Sequence, residues 1–238
     1  GETGVDTLIN NGINVANIEF YGGADGDYLR LHGTGIGDVL FDGGDGTDSY
    51  DYNAISTATA SITFNAGAGN DFLTWQGYSA NGIFHGGAGN DRVVVVGSGV
   101  LRLNGDAGDD EYTFVGNPVL DVTLGETYGG ASDPSQDTLN FSAFTGGPLS
   151  LDLRSTARQP QPATSTQFFI TLVDGMGMEN VVGTQFGDTI DGNARDNVIF
   201  GAEYVYHIDP SAPVARPRNQ TQWVLLDFDT KTEPGEHV

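Results

Sequence analysis

Seven aspartates, Asp6, Asp27, Asp48, Asp71, Asp91, Asp110 and Asp137, recur along the chain at intervals of 21, 21, 23, 20, 19 and 27 residues. Most of them close a glycine-rich turn. The clearest copies read Gly43-Gly44-Asp45-Gly46-Thr47-Asp48, Ala66-Gly67-Ala68-Gly69-Asn70-Asp71 and Gly86-Gly87-Ala88-Gly89-Asn90-Asp91. A unit of this length cannot bury a core alone. It must stack on its neighbours, and a Gly-Gly-x-Gly-x-Asp turn at a period of about 20 residues is the mark of a parallel β-solenoid whose turns hold calcium.

The turn residues explain the chemistry. Glycine reaches positive φ and lets the backbone approach an ion without a Cβ in the way. Turn carbonyls supply neutral oxygens and the aspartate a carboxylate, and calcium requires six to eight oxygens at roughly 2.3–2.6 Å. One turn cannot provide them all, whereas a turn stacked on the next can. The candidate ligands are therefore the aspartates Asp27, Asp48, Asp71, Asp91 and Asp110 with the turn positions around them: Gly44, Gly46, Gly67, Gly69, Gly87, Gly89, Asn70, Asn90, Asp25, Asp45, Asp106 and Asp109. Asp6, Asp137 and Asp188 join the set only if each finds a stacked partner turn. Asp38, in Gly33-Thr34-Gly35-Ile36-Gly37-Asp38, is the one early candidate on the opposite side of the coil, so a single row of ions is expected rather than two. Asp196 reads as structural.

Two positions beyond the aspartates stand Leu8, Leu29, Tyr50, Leu73, Val93, Tyr112 and Leu139, and beyond the minor turns Leu40, Ile190 and Val198. Four positions beyond, Leu31, Tyr52, Trp75, Val95, Phe114 and Phe141 continue an alternation of period two. Each turn thus feeds a strand with its apolar side inward. A second strand should close each coil, at Asn17–Phe20, Val39–Phe41, Ser61–Phe64, Gly82–Phe84, Val100–Leu103 and Leu120–Leu124. The fold class expected is all-β, a parallel β-roll or β-solenoid with two short strands per coil.

Charge narrows the partners. Nine basic residues stand against 32 acidic ones, a net charge of −23 that argues against nucleic acid and anionic membranes. A chain this acidic repels itself, and cation binding should be coupled to folding. The absence of cysteine excludes disulfides and thiolate metal sites. No apolar run is long enough for a membrane span.

Residues 1–203 are expected to form the solenoid, with 142–182 as an expanded coil containing strands at Leu149–Leu153 and Phe168–Val173, and 180–201 restoring the repeat. Residues 204–222 read as a Pro-rich linker, and 223–238 as the start of a further segment or truncated domain. The chain opens without Met inside a degenerate repeat, which reads as part of a longer polypeptide.

The turns at 43–51, 66–74 and 86–94 resemble the nonapeptide of the repeats-in-toxin (RTX, haemolysin-type) family, over about residues 1–200. Two copies depart from it: Asp106 stands for the second glycine and Asp25 for the fourth position. The segment 180–201 resembles the Glu-Asn-Val-x-Gly-Thr stretches found among such repeats in large secreted bacterial proteins. The resemblance implies several calcium ions, a parallel β-roll and an extracellular or cell-surface address. The function expected is a non-catalytic calcium-binding module that folds on calcium and serves as spacer, adhesive or stabilising segment of its parent polypeptide. The alternative is an accessory carbohydrate-binding module, or the solenoid of a polysaccharide-active enzyme, meeting glycans through outward residues such as Tyr28, Phe72 and Tyr78. Catalysis within this chain is not expected. Asp109-Asp110 lie in a turn, Tyr50, Tyr52 and Tyr112 are on the inward register, and Arg30, Arg92 and Arg102 point outward. His32 and His85 share no metal-ligand spacing and read as surface residues. The turns carry no regular threonine column of the kind an ice-binding face needs.

Overall fold

The structure, a computed structural model, describes residues 3–127, 129–130, 134–201 and 203–204. The expected linker and following segment, 204–238, lie almost wholly outside the described residues. Those described form a parallel β-solenoid of about nine turns with coils of about 21 residues and no helix. There is consequently no helix long and apolar enough to cross a membrane among them.

Two columns of strands build the coils. The first follows the aspartate turns: β1 (Thr7–Asn10), β3 (Tyr28–Ile36), β5 (Ser49–Ser56), β7 (Phe72–Trp75), β9 (Arg92–Val95), β11 (Glu111–Phe114), β13 (Thr138–Asn140), β17 (Asn180–Val182) and β19 (Val198–Phe200). The second leads into the turns: β2 (Asn17–Ala24), β4 (Asp38–Asp45), β6 (Ile62–Ala68), β8 (Tyr78–Ala88), β10 (Ser98–Ala107), β12 (Leu120–Leu124) and β16 (Phe168–Leu172). Successive members of each column pair in parallel, so Leu29, Tyr50, Leu73, Val93, Tyr112, Leu139 and Val181 stand one above another.

Period-two alternation puts that row inside, where all of its members are buried. The opposing column contributes Phe41, Phe64, Phe84, Leu103, Leu124 and Leu172. Large rings fill the interior and pack on one another. Tyr52 stacks on Trp75 with centroids 4.2 Å apart, and Phe114 stacks on Phe141 at 5.1 Å. Such ladders are the nearest-neighbour interfaces that stabilise a solenoid.

The stripe departs from the expected register at two minor turns. After Asp38 it is Val39 and Phe41 that are buried while Leu40 is only partly covered, and after Asp196 it is Ile199 that is buried rather than Val198. Both aspartates are one residue out of phase with the inward face, so their alternation runs the other way.

The expansion has its own architecture. Between β13 and β16 the chain forms β14 (Ser150–Asp152) and β15 (Gln159–Pro160), the latter antiparallel to β16. β14 pairs in parallel with β18 (Gly187–Asp191), which pairs with β20 (Glu203–Tyr204), and these make a separate small sheet. The segment after Asn180 therefore both continues the main column through β17 and β19 and supplies the satellite sheet through β18.

A buried carboxylate column as candidate metal centre

The residue immediately before each first-column strand sits at the corner of its coil, with its amide directed along the stack. The carboxylate one coil further on accepts it. The Asp27 N–H donates to Asp48 Oδ1 at 2.6 Å, Asp48 to Asp71 at 2.7 Å, Asp71 to Asp91 at 2.7 Å and Asp91 to Asp110 at 2.7 Å. The row begins with Asp6 donating to Asp27 at 2.7 Å and runs on through Asp110 to Asp137 at 3.0 Å. At the far end Asp137 donates to Glu179 Oε2 at 2.7 Å. From Asp27 to Asp137 these side chains are buried, whereas Asp6 is exposed. The sequence period thus has a concrete meaning, because each aspartate closes the corner of the preceding coil.

One oxygen is used in this way and the other is not. Oδ2 of Asp27, Asp48, Asp71, Asp91 and Asp110 is buried without a hydrogen-bond partner. Beside it lies the first glycine of the turn. A Cβ on Gly22 would fall 1.9 Å from Asp27 Oδ2 and 2.6 Å from the Gly43 carbonyl oxygen, and one on Gly86 would fall 1.9 Å from Asp91 Oδ2 and 2.6 Å from the Gly105 carbonyl. At Gly43 the neighbours are Asp48 Oδ2, the Ala66 carbonyl and the buried Tyr50 hydroxyl, which also has no partner. Orphaned carboxylate oxygens converging with main-chain carbonyls form a donor set for a hard cation.

The turn backbone allows this approach through left-handed residues at the second and fourth motif positions. The second position has φ of 104° at Gly44, 112° at Gly67 and 106° at Gly87; the fourth has 136° at Gly46, 151° at Gly69 and 132° at Gly89. The two departures from the motif keep the sign, with Asp106 at 72° and Asp25 at 73°. Aspartate is among the few side chains that tolerate this region, which explains why it replaces glycine here.

The column is electrostatically unbalanced. Burial, the largest influence, pushes the carboxyls of Asp71 and Asp110 up to about 6 and that of Asp91 up to about 7, while the amide hydrogen bond from the neighbouring coil opposes the rise. Asp48 is raised for the same reason. Asp137 is pushed to about 9 by burial and then by the charge of Glu126. Among the described residues no basic side chain pairs with the column aspartates Asp27, Asp48, Asp71, Asp91, Asp110 and Asp137; the column first meets one at Glu179, which pairs with Arg195.

The other predicted residues fall around this column rather than in it. Asn70, Asn90 and Asp109 form an outer, exposed ladder: Asn90 N–H donates to Asn70 Oδ1 at 2.8 Å, Asp109 N–H to Asn90 Oδ1 at 3.1 Å and Gln136 N–H to Asp109 Oδ1 at 2.9 Å. Asp25, Asp45 and Asp106 are exposed on the turns. Asp38 is exposed on the opposite side, where it accepts the Ser61 N–H at 2.9 Å. Asp188 lies outside the column. Its carboxylate accepts the Thr184 N–H, the Thr184 hydroxyl and the Leu149 N–H, each at 2.7 Å, which makes it a clasp of the satellite sheet. Tyr28 and Phe72 share an outward column but are separated by Ser49, and Tyr78 is on another strand, so the three form no aromatic strip.

Three residues of the site escape the aspartate count. Glu179 and Asn197 take the column's register in the last coils, because Asn180 pairs with Thr138 and with Val198. Their turns, Asp174-Gly175-Met176-Gly177-Met178-Glu179 and Gly192-Asn193-Ala194-Arg195-Asp196-Asn197, keep traces of the motif, and the apolar residues two positions on, Val181 and Ile199, are buried. Glu126 stands in the first motif position of its coil, as the pairing of Leu124 with Leu103 sets it level with Gly105. Compared with protein-family models, curated proteins and solved structures, the chain has no match.

Proposed function

We propose that this solenoid is a calcium-binding structural module, in which a row of ions along one corner compensates the buried carboxylates and couples metal binding to folding. The observation that carries this reading is the set of orphaned Oδ2 atoms on Asp27, Asp48, Asp71, Asp91 and Asp110, stacked in one column with no basic side chain among the described residues paired to them. Burying one ionised carboxylate without compensation is already costly, and a stack of them is more so. The residues that would hold the ions are these aspartates with the first-position carbonyls, such as Gly43, Ala66 and Gly105. Bound calcium would supply positive charge to oxygens that have no other partner.

The Oδ1 hydrogen bonds give the aspartates a purely architectural role as well, and the two roles use different atoms of one side chain. The resemblance to RTX repeats supports the same reading, with an exported or cell-surface parent polypeptide and low affinity, on the order of 10⁻⁴–10⁻³ M, suited to extracellular calcium. Calcium titration of chelated protein, followed by far-ultraviolet circular dichroism and by native mass spectrometry, tests it. The expected result is several bound ions with β-structure gained as they bind. A β signal indifferent to chelator, together with no ion retained, would remove the proposal.

A further inference from the structure

We propose that the row ends at Asp110 in a divalent-cation site of different make, formed by Asp110, Glu126 and Asp137 together and created by a single glutamate that replaces the first glycine of the motif. Ligand oxygens of these three residues all lie within 4.8 Å of one another, and all three side chains are buried. That limit is twice a calcium–oxygen distance of about 2.4 Å, the widest separation that two oxygens sharing one ion can have, so the three meet the spacing a shared ion requires.

The site is built from the register. In earlier coils the first motif position is Gly22, Gly43, Ala66, Gly86 or Gly105, whose lack of a long side chain leaves the space beside the aspartate open. In the next coil Glu126 stands level with Gly105 and sends a carboxylate into that space, 3% exposed. Its Oε1 accepts the Gly105 N–H at 2.5 Å and the Tyr112 hydroxyl, which orients the group and leaves Oε2 free of any such bond. Asp110, 2% exposed, uses Oδ1 for the Asp91 N–H and has no partner for Oδ2. That orphaned oxygen lies 2.0 Å from where a Gly105 Cβ would be, next to the amide that Glu126 holds. Asp137 approaches from the following coil, with Oδ1 on the Asp110 N–H at 3.0 Å. Three carboxylates from two consecutive coils and the intervening turn thus converge, and among the described residues no basic side chain pairs with any of them. An all-oxygen set of three carboxyls, which binding would bring to three negative charges by displacing their protons, selects a hard divalent ion, and the higher ligand charge should make this the tightest calcium site of the chain.

The inference rests on the proposed function for the role of Asp110 but concerns this end site alone, and one experiment tells it from the other turn sites. Native mass spectrometry and calorimetric calcium titration of the whole chain are compared with those of Glu126→Gln and Glu126→Gly; the second restores the residue type of the ordinary turn and so protects folding if the first does not fold. The expected result is loss of one ion, and of the tightest binding step by about 100-fold or more, while the remaining ions persist. If wild type binds a single ion that both variants lose, the site is right and the row is wrong. If the variants keep the full ion count and the first-step affinity, the site is wrong whatever the row does. If wild type retains no ion at all, both fail.

Discussion

At Asp71 two demands meet in one side chain. Oδ1 closes the corner of the preceding coil through the Asp48 N–H, and Oδ2 is buried without a partner. Substitutions can separate these roles. Asp71→Ala leaves the Asp48 amide unsatisfied and should cost about 1–3 kcal/mol in urea unfolding at any calcium concentration. Asp71→Asn keeps the acceptor and removes the charge, so it should fold, but its calcium midpoint should move to higher concentration. An Asn variant that responds to calcium as wild type does would assign the carboxylate to architecture alone. Glycine makes an equally sharp case at position 67. With φ at 112°, a methyl group there would come within 2.1 Å of the Gly44 carbonyl oxygen of the coil below. Gly67→Ala should therefore destabilise by more than about 2 kcal/mol, since strain and a backbone clash combine. Thermal unfolding at saturating calcium reads this without interference from ion loss.

Among the elements, the last coils meet with an arginine side chain a buried charge of the kind that the middle coils leave, among the described residues, without a basic partner. Where β17 and β19 continue the column, Arg195 reaches Glu179, and its other donors go to the Ser135 and Met176 carbonyls at 2.7 and 3.2 Å. Asn193 and Asn197 complete the network, with Asn197 Nδ2 donating to the Glu179 carbonyl at 3.0 Å. Removing Arg195 strands a buried carboxylate, so Arg195→Ala should destabilise by about 3–5 kcal/mol, with Glu179→Gln in the same chain recovering part of the loss. Hydrogen exchange should place the first loosening in β17 and β19. This end of the molecule is also where the sequence was hardest to read. From Asp27 to Asp110 the turn, the inward strand and the second strand were legible because aspartate, glycine and apolar residues recur in one fixed phase. Past Asp137 the column changes residue type to Glu179 and Asn197, and a satellite sheet is inserted, so a search for aspartates found Asp188 and Asp196 instead. Glu126 was missed for a related reason. It departs from the motif at the first position, and only the pairing of β10 with β12 reveals that the departure faces inward.

Over the whole molecule, a net charge of −23 and a buried acidic column should make stability depend on pH and, under the proposed function, on calcium in opposite senses. The carboxyls of Asp71, Asp91 and Asp110 sit at about 6 to 7 in the folded chain, above the ordinary value of about 4 that they regain on unfolding. In the absence of metal the folded state therefore binds more protons than the unfolded state between roughly pH 4 and 7. Its stability is greatest at the acidic end of that window and falls as pH rises through the folded values. Asp137, at about 9, extends the decline to more alkaline solution. Calcium bound as proposed would compete with these protons for the same oxygens, so bound ions should hold the fold where protons no longer do, and their affinity should weaken as pH drops through 7 to 6. The expected outcome is a crossing. Chelated protein should have a higher urea midpoint at pH 5.5 than at pH 8, and calcium should raise the midpoint much more at pH 8 than at pH 5.5. A chelated protein that gains stability from pH 5.5 to 8 would mean that the column is ionised and compensated by something other than protons or metal.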